Sequence, residues 1–583
     1  MLDPIGGFER IRDFYITYLD TAFRIRDEGI SAERRELLKR PGTLCTEPLI
    51  EPLPSFETAY EIHDLAHDRP SDPRLPGFSP EERRAFVDLA LAGLLDSKPA
   101  PDGSPTLRLA EYALYRHQAQ MLERGVQEGK AGIVTSGTGS GKTEAFLLPV
   151  FAKLAQEALR WDRPAEGYLA RRWWQDPSGQ PYPSWKDVPD RPDNRHPDAS
   201  PFRLQREGER RPAAVRALIL YPMNALVEDQ LVRIRRALDS DDARATMDRH
   251  FNGNRIFFAR YTSDTKVTGF HRHPRPDSDE PRRRARKLEE LFHASVAMQR
   301  TQHLARQIDQ ERRDGDEEQI RFLFSSVDGG ELTSRWDIQE TPPDILITNI
   351  TMLSAILARE VDAPILDKTR DWIMGNDDAY FFLILDELHL HRGSAGTEVS
   401  FLLRLFLDRI GLTDPAHCHK LRILASSASL PMEGPEREAS LAYLWDMFGR
   451  HGTRSRTSWA GASGPDDWAD AVITGTTIDH VPSSDHRLDP APFIELLRES
   501  GSSDNQVAKL DHPRQHEDLW RRIDSALNPT ASGTVALHEA VRRCIVEAGA
   551  RLAHACWSEI DRRPRATRIS TLAERLFGGA DED

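Results

Sequence analysis

The chain has 583 residues, a formal charge of −15, and 39% hydrophobic and 29% charged side chains. That length exceeds what one core can fill, and the composition excludes a disordered chain, so three or four ordinary globular units are expected. The acidic balance excludes a globally basic nucleic-acid coat but leaves room for local positive grooves; only eleven of the 78 basic residues are lysines. No apolar run is long enough to span a bilayer, and the start (Met1-Leu-Asp-Pro) lacks a basic region followed by an apolar stretch. The expectation is a cytoplasmic protein with no membrane partner. Cys45, Cys418, Cys544 and Cys556 lie far apart without CxxC spacing, which argues against disulfides or a zinc ribbon.

In chain order, residues 1–105 read as a helical N-terminal domain. Phe8, Ile11, Phe14, Tyr15, Tyr18, Leu19 and Phe23 recur at helical spacing, a stripe suited to core or docking, and a second helical run covers Glu81 to Leu95. Residues 106–450 alternate short apolar strands with helical runs, the pattern of a doubly wound parallel sheet. The strands are Ile133-Val134, Ala217–Tyr221, Arg255–Arg260, Asp344–Thr348, Tyr380–Leu385 and Leu421–Ala425. Periodicity fails near 161–212 and 270–340, which read as insertions. Residues 451–583 read as a mostly helical linker region, with one strand near Ala471–Ile473.

Polar motifs follow the strands, where such sheets bind ligands. After the first comes Ser136-Gly137-Thr138-Gly139-Ser140-Gly141-Lys142-Thr143, opening a helix. Backbone N–H groups of a glycine-rich turn and a helix N-terminus cradle phosphate, so Lys142 is expected on the β- and γ-phosphates of ATP and Thr143 on Mg²⁺. Gln118, upstream, has an amide able both to donate to and to accept from an adenine edge. After the most apolar strand come Asp386 and Glu387: a carboxylate placed for Mg²⁺ and a neighbour placed to orient and deprotonate water. His389 follows on the same turn, positioned to couple the nucleotide to Ser427 and Ser429.

Together these strings resemble superfamily 2 helicases of the DExH type. The resemblance runs through a Q-like motif (Leu114 to Gln118), motif I (Ser136 to Thr143), motif Ia (Tyr221 to Gln230), motif II (Asp386 to His389) and Ser427-Ala428-Ser429 as motif III. Leu385 to Gly393 looks like DUF1998-associated, mitomycin-repair-like helicases, while Asp3 to Phe14 and Tyr221 to Leu226 look like large helicases of bacterial phage-defence islands.

The resemblance implies an α/β fold, a RecA-like first helicase lobe with helical N- and C-terminal regions. It implies an ATP hydrolase of the nucleic-acid-stimulated helicase type, with Lys142, Asp386, Glu387 and His389 catalytic. It further implies contacts from Pro222, Asn224, Thr265, Asn349 and Thr351 to one nucleic-acid strand, DNA in preference to RNA, with Ser427 and Ser429 coupling that strand to the nucleotide. Arg233, Arg235 and Arg236 would add positive charge there. No Gln-x-x-Gly-Arg-x-x-Arg string occurs, so the arginine finger of a second lobe is expected from a missing C-terminal half or another polypeptide. The alternatives are a single-lobe ATP- and partner-binding module with negligible turnover, and an RNA-dependent ATPase.

Overall fold

The computed structural model describes residues 4–40, 42–44, 46–100, 108–137, 139–170, 172–311, 319–449, 464–478, 486–500, 516–529, 535–558 and 563–578. They form two compact units, one of residues 56–476 and one joining 1–55 to 477–583. This division falls elsewhere than at 105 and 450.

The larger unit is built on seven strands: β1 (Gly132–Thr135), β2 (Ala217–Tyr221), β3 (Phe258–Tyr261), β4 (Ile345–Asn349), β5 (Phe381–Leu385), β6 (Leu421–Ser427) and β7 (Val472–Thr474). Their order is β7-β1-β6-β5-β2-β4-β3, and every pairing is parallel. All residues of β2, β5 and β6 are buried, as a sheet covered on both faces demands of its central strands. The chain crosses from β1 outward to β3 and then turns back through β4, β5 and β6 to β7 at the far edge. With right-handed crossovers, that reversal puts the later helices on the opposite face, giving a doubly wound sheet.

The register aligns the functional ends. Thr135 lies beside Ser427, Leu385 beside Ala425 and Leu220, and Tyr221 beside Asn349. The motifs that follow these residues therefore emerge along one edge.

Helix α1 (Pro80–Leu91) begins at a capping box between Ser79 and Glu82, with Pro80 at its first position. Its buried Phe86 and Leu89 share one core with Phe146, Phe151 and the sheet, so residues 56–100 complete the sheet unit. Helix α2 (Arg116–Gly125) precedes β1, and α3 (Lys142–Ala158) follows the phosphate loop, with Pro149 buried inside it. Helix α4 (Asn224–Asp239) follows β2, and α5 (Glu280–Glu311) is a 32-residue helix inside the polar stretch 270–340. Helix α6 (Ile350–Ala358) follows β4.

The two insertions make one satellite core: Trp173, Val188 and Phe202 of the first pack with Leu288, Phe292 and Trp336 of the second. Neither segment carries enough apolar surface alone, so periodicity fails in each.

In the smaller unit, Leu49-Ile50 pairs antiparallel with Thr567-Arg568. Helices Glu517–Leu527 and Leu537–Ala555 supply a small core around Trp520, Ile523 and Cys544. The N-terminal stripe from Phe8 to Leu19 lies on helix Pro4–Ala22, with Phe23 just past its end; Ile16 is buried, but Ile11 and Phe14 are 72% and 78% exposed. Cys418, Cys544 and Cys556 are buried free thiols, and Cys45 lies outside the described residues.

Candidate nucleotide site

The phosphate loop joins β1 to α3. Gly139 and Gly141 have φ of 73° and 67°, left-handed values that glycine adopts without strain. A Cβ on Gly141 would stand 2.2 Å from Nε2 of Gln118, so it would displace that amide from the loop. Thr138 lies outside the described residues. The loop closes on itself through Ser136 Oγ and Ser140 Oγ at 2.6 Å and through Ser140 Oγ donating to the Gly137 carbonyl at 2.9 Å. Thr143 is buried in the first turn of α3.

Two side chains of α2 hold this loop from below. Gln118 donates its amide to the Gly141 carbonyl at 3.1 Å and accepts from the Tyr115 N–H at 2.9 Å. Both ends of the amide expected at an adenine edge are thus engaged within the protein. His117, which carries no role in the motif reading, meets the Ser140 carbonyl through Nε2 at 2.7 Å. A carbonyl only accepts, so Nε2 bears the proton; burial lowers the pKa of His117 and favours this neutral form. The adjacency of His117 to Gln118 on the face toward the loop is the signal that would have found it.

Across the sheet, the loop after β5 brings the carboxylates in. Asp386 is 6% exposed; its N–H donates to the Leu220 carbonyl at 3.1 Å, and its Oδ1 accepts from the Ser426 hydroxyl and from the Glu387 N–H. Burial pushes the Asp386 carboxyl above the usual range, and the Ser426 hydrogen bond only partly pulls it back. A carboxylate desolvated in this way is suited to a cation. Ser426 is a second site residue missed among the four positions of Ser-Ser-Ala-Ser; alternation along β6 separates its environment from that of Ser427.

Glu387 adopts φ 51°, a left-handed conformation costly for a side-chain-bearing residue and held here by its N–H bonds to Asp386 and Ser426. Its Oε1 stands 3.9 Å from the Lys142 ammonium, and its Oε2 stands 3.3 Å from His389 Nδ1. Lys142 also reaches the Ser136 carbonyl at 3.4 Å. The expected catalytic quartet Lys142, Asp386, Glu387 and His389 is therefore one cluster.

His389 reaches motif III through the backbone, with the Ala428 N–H 3.4 Å from Nδ1, and not through the serine hydroxyls. Ser427 is fully buried, its carbonyl accepting from the Ser136 N–H and its hydroxyl from the Ser429 N–H. Ser429 is exposed and its carbonyl accepts from Arg392.

Of the residues expected on a nucleic-acid strand, Asn224 and Thr351 are exposed on the strand-end edge, and Pro222 and Asn349 half-buried there. Asn349 caps α6 through the Met352 N–H at 2.7 Å and donates to Asn224 Oδ1 at 2.5 Å. Thr265 and Ser427 are inside; the Thr265 hydroxyl accepts from the Thr262 N–H and donates to the Arg260 carbonyl, leaving nothing for a strand. The arginines of α4 do not supply free charge either. Arg233 pairs with Glu144 at 2.5 Å, buried Arg235 with Glu331 at 2.8 Å and Arg236 with Asp96 at 3.0 Å.

No cluster of three His, Cys, Asp or Glu side chains able to hold a metal exists among the described residues. Thr143 and Asp386 fit Mg²⁺ in the way a nucleotide site uses it, with phosphates and water completing the shell. No described helix is long and apolar enough to cross a membrane.

Residues 115–256 match the DEAD/DEAH box helicase family, so the chain carries a DEAD/DEAH helicase domain. Such helicases generally hydrolyse ATP with Mg²⁺. The chain is similar to the Druantia protein DruE of Escherichia coli (strain UMEA 4076-1), at 26% identity over 468 residues. That alignment covers 75% of this chain and 21% of DruE, so the chain spans about a fifth of the length of the curated relative it matches. Solved structures of the DUF1998 helicase MrfA, alone and bound to DNA, align at 14% identity over 73% and 89% of this chain. They are covered to 43% and 47%, with TM-scores of 0.28 and 0.29.

Proposed function

We propose that this chain is the ATP-binding first lobe of a cytoplasmic nucleic-acid translocase or helicase, acting on DNA in preference to RNA, in phage defence or DNA repair. One observation carries the reading: the ends of β1 and β5 put Lys142 and Glu387 3.9 Å apart, with Asp386 beside them. In this arrangement Lys142 and the loop N–H groups bind the β- and γ-phosphates, and Thr143 and Asp386 hold Mg²⁺. Bound Mg²⁺ supplies charge neutralisation at the phosphates. Glu387, kept in place by its backbone bonds, orients a water and takes its proton. The helicase domain match and the motif resemblance support the assignment to a motor.

The exposed edge of Pro222, Asn224, Asn349, Thr351 and Ser429 offers amides, hydroxyls and backbone groups, which grip a phosphate backbone without reading sequence. A second RecA-like lobe, from a longer form of the protein or another polypeptide, would contribute the arginine finger. The reading is tested by fluorescence anisotropy with single-stranded DNA and RNA of matched sequence. Tighter binding to DNA that changes with a non-hydrolysable ATP analogue is expected; equal, nucleotide-independent binding of both contradicts it.

A further inference from the structure

A cleft of about 1360 Å³ opens at the end of the sheet away from the phosphate loop. Its walls include Arg216, Tyr380 and Arg422, which stand at the starting ends of β2, β5 and β6. Lys153 reaches it from α3, eleven residues and so about 16 Å beyond Lys142 along the same helix.

Several charges around this cleft are ion-paired. Arg211 is paired with Asp344 at 2.5 Å, Arg216 with Glu157 at 2.8 Å and Arg160 with Asp378 at 3.1 Å, while Glu82 serves the cap of α1. Lys368 and Lys420 donate to backbone carbonyls, and two further cations meet at one ring. Lys153 donates to the amide oxygen of Gln156 and Arg422 to the Lys420 carbonyl at 3.2 Å; among the described residues neither makes a direct ion pair, although Glu82 and Glu157 act on Lys153 and Glu128 on Arg422 from farther away. Arg422 is 3% exposed, and its buried Nε has no hydrogen-bond partner. Both cations border one ring, with Lys153 Nζ 5.3 Å and Arg422 Cζ 5.8 Å from the centre of Tyr380.

A buried charge with no direct ion pair is costly even where a carboxylate acts on it from farther away, and two like charges around one ring repel as well. We infer that this cleft is a binding site for a phosphate-bearing small molecule, with Lys153 and Arg422 as its anion ligands. A guanidinium and an ammonium bordering one ring supply charge-assisted donors that match phosphate oxygens. Their depth at the cleft wall suits a small terminal group better than a polypeptide carboxylate. The electrostatics agree: burial and then the neighbouring Arg422 draw Lys153 down to about 8 against the pull of Glu82 and Glu157, and burial draws Arg422 down to about 10 against that of Glu128. Because Lys153 and Lys142 lie on one helix, the site is connected to the phosphate loop through α3.

The test uses the full chain carrying Lys142→Ala, which silences the phosphate loop, titrated calorimetrically with pyrophosphate, inorganic phosphate and AMP. Residual binding is expected, weakened more than about tenfold by adding Lys153→Met. Binding by all three probes identifies phosphate itself as the recognised group, and binding by AMP alone a phosphate ester. Absence of residual binding, or its survival in Lys153→Met, overturns the proposal. Acetylation of Lys153, followed by mass spectrometry in the chain with Lys153 unaltered, requires no substitution in the cleft. Protection by pyrophosphate supports the site; protection by a glutamate-rich peptide alone overturns it in favour of an acidic protein partner.

Discussion

The Lys142 ammonium lies 3.9 Å from the Glu387 carboxylate, although Lys142 opens the helix after β1 and Glu387 lies after β5, strands separated in the sheet by β6. Glu387 is thereby held against the lysine that would meet the γ-phosphate. Glu387→Gln keeps the shape and removes the base, so turnover should fall by about 10²–10⁴-fold while Mg-ATP affinity stays near that of the parent. Steady-state hydrolysis with the completed motor checks this; a variant retaining parental turnover would remove Glu387 from the chemistry.

Gln118 spends its amide on the Gly141 carbonyl and the Tyr115 N–H. If its contribution is to shape the loop, Gln118→Ala weakens ATP and GTP binding by the same factor. Competition titrations separate this from base reading, under which only the preference for ATP would be lost.

Asn349 has two tasks, capping α6 and bonding Asn224. Asn349→Ala should cost about 1 kcal/mol of stability through the lost cap. Asn349→Asp keeps the cap, so it should unfold near the parental temperature, yet bind single-stranded DNA more weakly because a carboxylate repels phosphate. Equal stability loss in both variants would mean that the cap does not matter.

Asp337 is fully desolvated where the two insertions meet, accepting from the Gln205 N–H at 2.9 Å and from the Ser334 hydroxyl at 2.6 Å. Burial pushes its carboxyl up to about 6, from 3.8. A raised acid favours folding when protonated: its stabilising contribution is complete below about pH 4 and lost as pH rises through about 6. Asp337→Asn should therefore raise the melting temperature relative to the parent at pH 8, by an amount equivalent to at most about 3 kcal/mol, and the gain should shrink toward pH 5. A difference between variant and parent that does not change with pH contradicts this.

Much of the sheet is legible in the sequence, since central parallel strands are continuous apolar runs and each is followed by its polar motif. Ala217–Tyr221 is read to the residue, and Leu421–Ala425 falls short only by the two serines that reach the site. The strand near Ala471–Ile473 is legible, but its place beside β1 is not, because no local pattern encodes a partner so far upstream. The shared core of the insertions is hidden for the same reason. At the site, residue type predicts chemistry well but exposure poorly: Thr265, Ser427 and Arg235 have suitable groups already committed to internal partners.

The central claim, that the loop at Ser136–Thr143 binds ATP through Lys142, is tested most directly by Mg-ATP binding isotherms of the chain, Glu387→Gln and Lys142→Ala. Similar affinity for the first two and a loss of more than about tenfold for Lys142→Ala are predicted. An unchanged isotherm for Lys142→Ala would contradict the account.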